Sequence, residues 1–335
     1  MANVIGIEIA EQSIRAVEIS RGRRPMLVAA GEVPLPEGAA KDSEILDPDA
    51  VSLALRQLWS QAGLRGNRVH LGISNRRILV REYVSPRLAP ELLKAALPYE
   101  VQDLLPVPVE QAVLDFYAVS ETDTHILGLL VAAVAETVEG LINTLANARL
   151  RTDAVDFLPF GLARLVRSLG GHGAGEAVAI ASVGEHTTNF VVTVDGIPRF
   201  VRIIPVDLAA DLFAPAGLVP AAASPDGWVA RRAFAEVGPV ETGVDPSLTD
   251  LVGRLRSTLR FYAGREGAEP ISRMYLTGAG LTAPGLAAAV ASGLDVPVTE
   301  LGMHDLIAFS KSISAIGTPP PSLVNALGIA LGDDK

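Results

Sequence analysis

Apolar and polar positions alternate most regularly in two stretches, and the second repeats the outline of the first. Val4 to Ile19 reads VIGIEIAEQSIRAVEI, and Val178 to Val194 reads VAIASVGEHTTNFVVTV. Aligned without a gap, Glu8 falls on Ser182, Ala10 on Gly184, Glu11 on Glu185 and Arg15 on Asn189. In each copy a β-branched apolar run enters a short polar turn and leaves as a second apolar run, which is the pattern of a β-hairpin. A third run closing on proline follows each, Met26 to Val33 before Pro34 and Arg199 to Ile204 before Pro205. Two three-stranded meanders with their polar turns facing one cleft are expected to clamp a phosphate chain through backbone N–H groups.

The rest of the pattern predicts helices and a small insert. Asp49 reads as the N-cap of a helix over Ala50 to Ala62, where Leu53, Leu55, Leu58 and Trp59 recur at helical spacing before Gly63. RVHLGIS (Arg68 to Ser74) and RILVREY (Arg77 to Tyr83) alternate as paired strands of a separate module. Pro86 to Leu105 predicts a helix starting near Pro90 and kinked at Pro98, since proline removes a backbone donor and clashes with the preceding turn. After the stiff LLPVPV run come strands Val113 to Ser120 and His125 to Ala133 and a helix over Thr137 to Ala148, completing a compact α+β insert. A short strand at Asp153 to Asp156, a helix at Pro159 to Leu169 and a GGHGAG linker precede the second meander. Asp207 to Thr242, rich in alanine, proline and glycine, predicts no clear element. A helix over Pro246 to Gly264, a strand over Ile271 to Thr277, a Gly278-Ala279-Gly280 turn and a helix over Pro284 to Leu294 follow.

Composition narrows the possibilities. At 335 residues the chain can hold two or more cores. A net charge of -10 disfavours a general nucleic-acid role, which needs cations to displace counterions. The absence of cysteine excludes disulfides, thiolate metal sites and cysteine nucleophiles. Met1 to Ile9 has no basic leader, and no apolar run is long enough to cross a bilayer, so a cytosolic location is expected. The histidines His70, His125, His172, His186 and His304 show no metal-like spacing.

Several residues could carry chemistry. Glycines between a strand and a helix, as at Gly278 and Gly280, let backbone approach a ligand, or merely make a turn. Thr187, Thr188 and Asn189 either contact phosphate or serve as turn formers, and Glu8 either faces a ligand or is a plain cleft residue. Arg254, Arg256 and Arg260 share one helix face, which reads first as a solvated one.

The duplicated hairpins, the insert and the YLTGAG turn resemble the actin-like nucleotide-binding superfamily, whose α/β fold is ribonuclease H-like. Within it, LPYEVQDLLPVPVEQAVLDF (Leu97 to Phe116) resembles the signature of the PilM family, cytosolic actin-like proteins of type IV pilus assembly. VAAVAETVEGLINTLANARLRTDAVDFLPFGLARLV (Val131 to Val166) and RMYLTGAGLTAPGLAAAV (Arg273 to Val290) are similar too, and the likeness fails mainly between Asp207 and Asp245. It implies subdomain 1A at 1–66 and 153–170, an inserted module at 67–152, subdomain 2A at 176–206 and 270–332, and a 2B-like part at 207–269. ATP or ADP with Mg2+ would be contacted by Glu8, Ser13, Arg15, Ser182, Gly184, Thr187, Thr188, Gly278, Ala279 and Gly280, with Glu8 as the magnesium ligand.

Departures from the family's hairpin pattern bear on mechanism. Glu8 stands where the pattern has aspartate, Ala10 where it has glycine, Arg15 where it has lysine and Ser182 where it has a second aspartate. Magnesium wants oxygen ligands in tight octahedral geometry, and a serine hydroxyl supplies no charge. Hydrolysis is therefore expected to be weak or absent. The resemblance further implies a groove for the cytosolic N-terminal peptide of a PilN-like membrane protein, lined by Tyr99, Gln102, Leu104, Leu105, Pro106 and Val107, and through it a link to the assembly ATPases. The same side chains could instead pack the module against its host. An active actin-fold ATPase or small-molecule kinase is the rival reading. A divisome protein like FtsA would need an amphipathic closing helix, which Leu331 to Lys335 does not supply.

Overall fold

The computed structural model describes residues 3–22, 24–41, 44–208, 218–220, 228–230 and 245–332. Most of the Asp207 to Thr242 stretch lies outside the described residues. The first meander consists of β1 (Val4–Ile9), β2 (Ser13–Ser20) and β3 (Met26–Pro34). Nearly every residue of β1 and β2 is buried, as expected of central strands covered on both faces.

Helix α1 (Pro48–Ala62) follows, capped by Asp47 rather than by the expected Asp49. Pro48 takes the first helical position, where its missing N–H costs nothing, and the Asp47 carboxylate accepts from the amides of Asp49 and Ala50. Strand β4 (Arg68–Ile73) does not pair with the next strand in sequence. It runs parallel to β1, and all of it beyond Arg68 is buried, so it belongs in a sheet centre and not in a half-exposed module.

The module's own sheet is β5 (Leu79–Pro86), β6 (Ala112–Glu121) and β7 (His125–Val134), antiparallel with β7 central. Helix α2 (Pro90–Val101) covers one face, where Leu97, Val101 and Leu130 pack with Tyr83, Leu114 and Phe116. It continues through Pro98 and tightens to a 3-10 turn only at Gln102–Leu104, so the predicted break falls later. Helix α3 (Ala135–Asn147) turns its apolar face, Val138, Leu141 and Leu145, into the core shared with α1 and is not part of a self-contained insert.

Strand β8 (Arg151–Phe157) pairs parallel with β4 and feeds α4 (Leu158–Leu169). The second meander is β9 (Ala177–Val183), β10 (Thr187–Val194) and β11 (Ile197–Pro205), with Asp195 and Gly196 both at positive φ in the two-residue turn between β10 and β11. After α5 (Pro246–Ala263), β12 (Ile271–Thr277) joins parallel to β9. Helix α6 (Leu286–Gly293), β13 (Val298–Glu300), β14 (Ala308–Phe309) and α7 (Val324–Ala330) complete the elements that matter here.

The two large sheets run β8-β4-β1-β2-β3-β14 and β11-β10-β9-β12-β13. In both, an antiparallel meander continues into parallel strands beside its first strand, so the repeat seen in sequence is a repeat of topology. Between them a core of Leu162, Leu165 and Val166 from α4, Ile180 and Val191 from the second sheet, and Leu327 from α7 joins the halves. Helices α4 and α7 meet backbone to backbone, since a Cβ on Gly161 would stand 3.0 Å from the Gly328 carbonyl carbon.

Candidate functional site

The two hairpin turns face each other across a cleft lined by Glu8, Ala10, Glu11 and Arg15 of the first meander and Gly184, Glu185, His186, Thr187 and Asn189 of the second, with Ser74 and Asn325 at its sides. Its cavity is about 60 Å³, room for a handful of waters. The turns are alike in detail. The Ala10 amide donates to the Ser13 carbonyl at 2.9 Å, and the Gly184 amide to the Thr187 carbonyl at 2.9 Å. Neither Ala10 nor Gly184 has a positive φ, so the backbone conformation does not require glycine, although a Cβ on Gly184 would stand 2.9 Å from the Thr187 carbonyl oxygen.

Register places three charges side by side on the first sheet, because Glu8 pairs with Arg15 and Arg15 with Glu32. Arg15 is 3% exposed and is tied to carboxylates from both halves. Its Nε donates to Glu32 Oε1 at 2.8 Å, its Nη2 donates to Glu185 Oε1 at 2.6 Å, and its Nη1 lies 3.6 Å from Glu8 Oε2. Glu32 also accepts from the hydroxyls of Ser13 and Ser322, each at 2.7 Å. Asn325 of α7 bridges the halves a second time, donating to Glu8 Oε1 and accepting from the Ser182 hydroxyl, both at 2.7 Å. Ser74 donates to Asn189, and at the rim His186 lies between Asp207 at 3.2 Å and Glu11 at 4.0 Å.

Burial pushes the Glu8 carboxyl above the usual carboxylate range, despite Arg15 and Asn325. Burial acts the same way on Glu32, but Arg15 and the hydroxyls of Ser322 and Ser13 outweigh it and hold that carboxyl below its ordinary value. Burial alone would lower Arg15, and Glu185, Glu32 and Glu8 together drive it well above its ordinary value. One guanidinium thus answers three carboxylates, and Glu8 Oε2 is buried without a hydrogen-bond partner.

The structure brings Glu8, Arg15, Gly184 and Thr187 to the cleft, and Ser13 and Ser182 just behind it, their hydroxyls committed to Glu32 and Asn325. Thr188 is fully buried with its hydroxyl unpartnered, and it does not line the cleft. Gly278, Ala279 and Gly280 are buried against β9 and do not line it either: a Cβ on Gly278 would stand 2.5 Å from the Val183 carbonyl, and one on Gly280 2.6 Å from the Val183 side chain. That glycine pair serves the approach of two strands. Of the partner-groove candidates, Tyr99 is 79% exposed, Gln102 and Pro106 are exposed, Val107 is half-buried, and Leu104 and Leu105 pack on the α2 core.

The residues that sequence reasoning missed are Glu32, Glu185, Ser322 and Asn325. Glu32 is the one acid in an otherwise apolar strand, and Asn325 the one polar side chain in α7. Each is a signal that a buried polar group has a partner.

The donor set does not fit a magnesium nucleotide. Glu8 Oε1 accepts from Asn325 and its Oε2 faces the Arg15 guanidinium at 3.6 Å, while Ser182 brings no negative charge where a second carboxylate would be needed. A polyphosphate entering here would meet Glu8, Glu11 and Glu185, while the one buried guanidinium is already paired.

The comparisons with known proteins agree with this architecture. A chain of the PilM-PilN type IV pilus biogenesis complex superposes with a TM-score of 0.79 at 22% identity, with 98% of each chain covered. The ethanolamine utilization protein EutJ from Carboxydothermus hydrogenoformans superposes with a TM-score of 0.55 at 13% identity, covering 99% of this chain and 90% of that one. No curated protein matches. The fold is therefore actin-like α/β. The family described as type IV pilus assembly protein PilM matches residues 6–203, more than half of the sequence, and the chain belongs to that family.

Proposed function

We propose that this chain is a cytosolic scaffold of a type IV pilus inner-membrane platform, and that its three-stranded module receives the cytosolic N-terminal peptide of a PilN-like membrane protein. The observation that carries this is where apolar side chains are left uncovered. Of the nine large apolar side chains exposed among the described residues, five belong to the module, Val84, Leu92, Tyr99, Val113 and Leu127, while Met26, Leu46, Leu53 and Phe261 lie elsewhere. Leu92 and Tyr99, two turns apart, share the outer face of α2, at 60% and 79% exposure. Val84 and Leu127 are direct cross-strand partners on β5 and β7. Strand alternation puts Val84, Val113 and Leu127 on the sheet face away from α2, so the apolar surface offered to a peptide is that of Leu92 and Tyr99 on α2 itself.

The 3-10 turn at Gln102–Leu104 and the run through Pro106 and Val107 extend the same edge, with Leu104 and Leu105 anchoring it on the α2 core. A short peptide would lay apolar side chains along Tyr99 and Val107 and gain roughly 25 cal/mol for each Å² of apolar area it buries there. The PilM-PilN complex contains a chain of this fold, which supports the assignment of the partner. Among the described residues no helix is long and apolar enough to cross a membrane, so attachment would run through that partner, and through it to the assembly ATPases. Nucleotide has no part in this proposal.

Calorimetric titration with the N-terminal peptide of the PilN-like protein is the test. Wild type binds, while Leu92→Ser and Tyr99→Ala each weaken binding about tenfold, the equivalent of roughly 1.4 kcal/mol. No binding to wild type, or undiminished binding to both variants, would overturn the proposal.

A further inference from the structure

Besides the Ser74 to Asn189 bond, two buried ties that share Glu8 cross the cleft. The first is the Arg15 guanidinium on β2, bonded to Glu185 in the turn of the opposite hairpin while it also holds Glu32 and faces Glu8. The second is the Asn325 side chain, which joins Glu8 of the first sheet to Ser182 of the second. In a clamp that closes on a magnesium nucleotide, the metal and phosphates neutralise one another between the two turns. Here a cation fixed in the chain already stands between acids of both halves.

We infer that Arg15 takes the place of a magnesium nucleotide as the cross-cleft tie, so that the two halves are held together without any ligand and the cleft takes up neither ATP nor ADP. The charge balance supports this. Glu8, Glu32 and Glu185 outnumber the guanidinium they surround, and Glu11 adds a further acid at the cleft lining, so an incoming polyanion finds no unspent cation among the residues lining the cleft. Removing the arginine would be the costly change, because it leaves Glu32 and Glu185 as buried carboxylates without their cation.

Glu185 is the residue to change, since it alone brings the second turn to Arg15 and its loss leaves the first sheet's own ladder intact. The full chain is melted with and without millimolar ATP or ADP and magnesium, and hydrogen exchange is followed in the free protein. Wild type shows no saturable rise in melting temperature with either nucleotide. Glu185→Gln melts several degrees lower and exchanges faster at both hairpin turns, around Ala10 and around Gly184, while exchange in the module is unchanged. Arg15→Lys, which keeps the charge but loses the fork that reaches three carboxylates, falls between wild type and Arg15→Met. A saturable rise of several degrees in wild type with magnesium and nucleotide would overturn the inference, because a ligand stabilises only what the folded state binds. So would a Glu185→Gln protein that melts and exchanges like wild type. The peptide titration reads a different surface, so failure of one proposal does not imply failure of the other.

Discussion

At the scale of single residues, the two glutamates of the first sheet that flank Arg15 pull stability in opposite directions with pH. Glu32 is held below its ordinary value in the folded protein, so its contribution is full above the unfolded-state value, about 4.3, and is lost as pH falls through the folded value. Glu8 is raised, so its contribution is full below about 4.3 and is lost as pH rises through its folded value. Glu32→Gln should therefore cost roughly 3–5 kcal/mol at neutral pH, as expected for breaking a buried ion pair, with the deficit narrowing in acid. Glu8→Gln should gain stability at neutral pH, and the gain should vanish toward a pH of about 4. Urea midpoints measured across that range check both signs, and differences that do not change with pH would contradict the assignment. Of the ladder, only Glu8 and Arg15 stood out in the sequence, and Glu32 did not. Aligning the three runs of the meander puts Glu8, Arg15 and Glu32 in register. Nothing in one sequence says that Glu185 and Asn325 arrive from the other half, because that depends on how two sheets meet.

At the scale of elements, patterning told hairpins and helices apart but not which sheet a strand joins. The meanders and α5 announce themselves through unbroken apolar runs and a steady helical repeat. Strand β4 alternates in sequence like a half-exposed strand, yet α1 and α3 cover one face of it and α7 the other, while β1 and β8 pair its two edges, and a local pattern carries no record of neighbours distant in the chain. The same holds for α3, whose apolar stripe suits either the module or α1. Glycines show the opposite case, in which the sequence marks a position without giving its use. Gly6 reads as an unremarkable strand residue, but a Cβ there would stand 2.1 Å from the Ala326 carbonyl oxygen and 2.6 Å from the Ala330 amide nitrogen. Gly6→Ala must therefore push α7 off the first sheet. Because α7 carries Asn325 and packs on α4 through Gly328, the damage should reach the joint between the halves. A loss of about 2–4 kcal/mol is expected, in the range for overpacking a core with backbone displacement. Gly140→Ala, where no atom lies within 4 Å of the added methyl, should instead be neutral or slightly stabilising, because alanine is the better helix former. A denaturation series on both variants separates the close-approach explanation from a general intolerance of glycine replacement.

At the scale of the molecule, three units meet with unequal strength, and that inequality decides whether the module and the cleft report to each other. The two large sheets share a buried core built on α4 and α7, besides the Arg15 and Asn325 ties. The module is fixed to the first half by Leu129 and Val131 of β7, which enter the same core as α1 and α3. Toward the second half β6 meets β11, where Tyr117, Val119, Val201 and Ile203 pack on the same core, and an ion pair joins Glu82 to Arg265, with Arg265 stacked over Phe200. Beside that pair lies a cavity of about 220 Å³ between Val119 and Leu127 on one side and Tyr262 and Glu269 on the other. Glu82 is 46% exposed at its side chain, so the pair contributes about 0–1 kcal/mol. The ion pair adds little to that apolar seam, and neither Tyr99 nor Glu185 belongs to the seam, so the two sites should behave as independent. Tyr99→Ala should leave the melting temperature of the free protein unchanged, and Glu185→Gln should leave peptide affinity within about twofold of wild type. The double variant should then show both losses, additive to within roughly 0.5 kcal/mol. If Glu185→Gln instead alters peptide affinity severalfold, the Glu82 and Arg265 contact is the place to look. Arg265→Ala would then abolish the coupling while sparing both the peptide surface and the Arg15 cage.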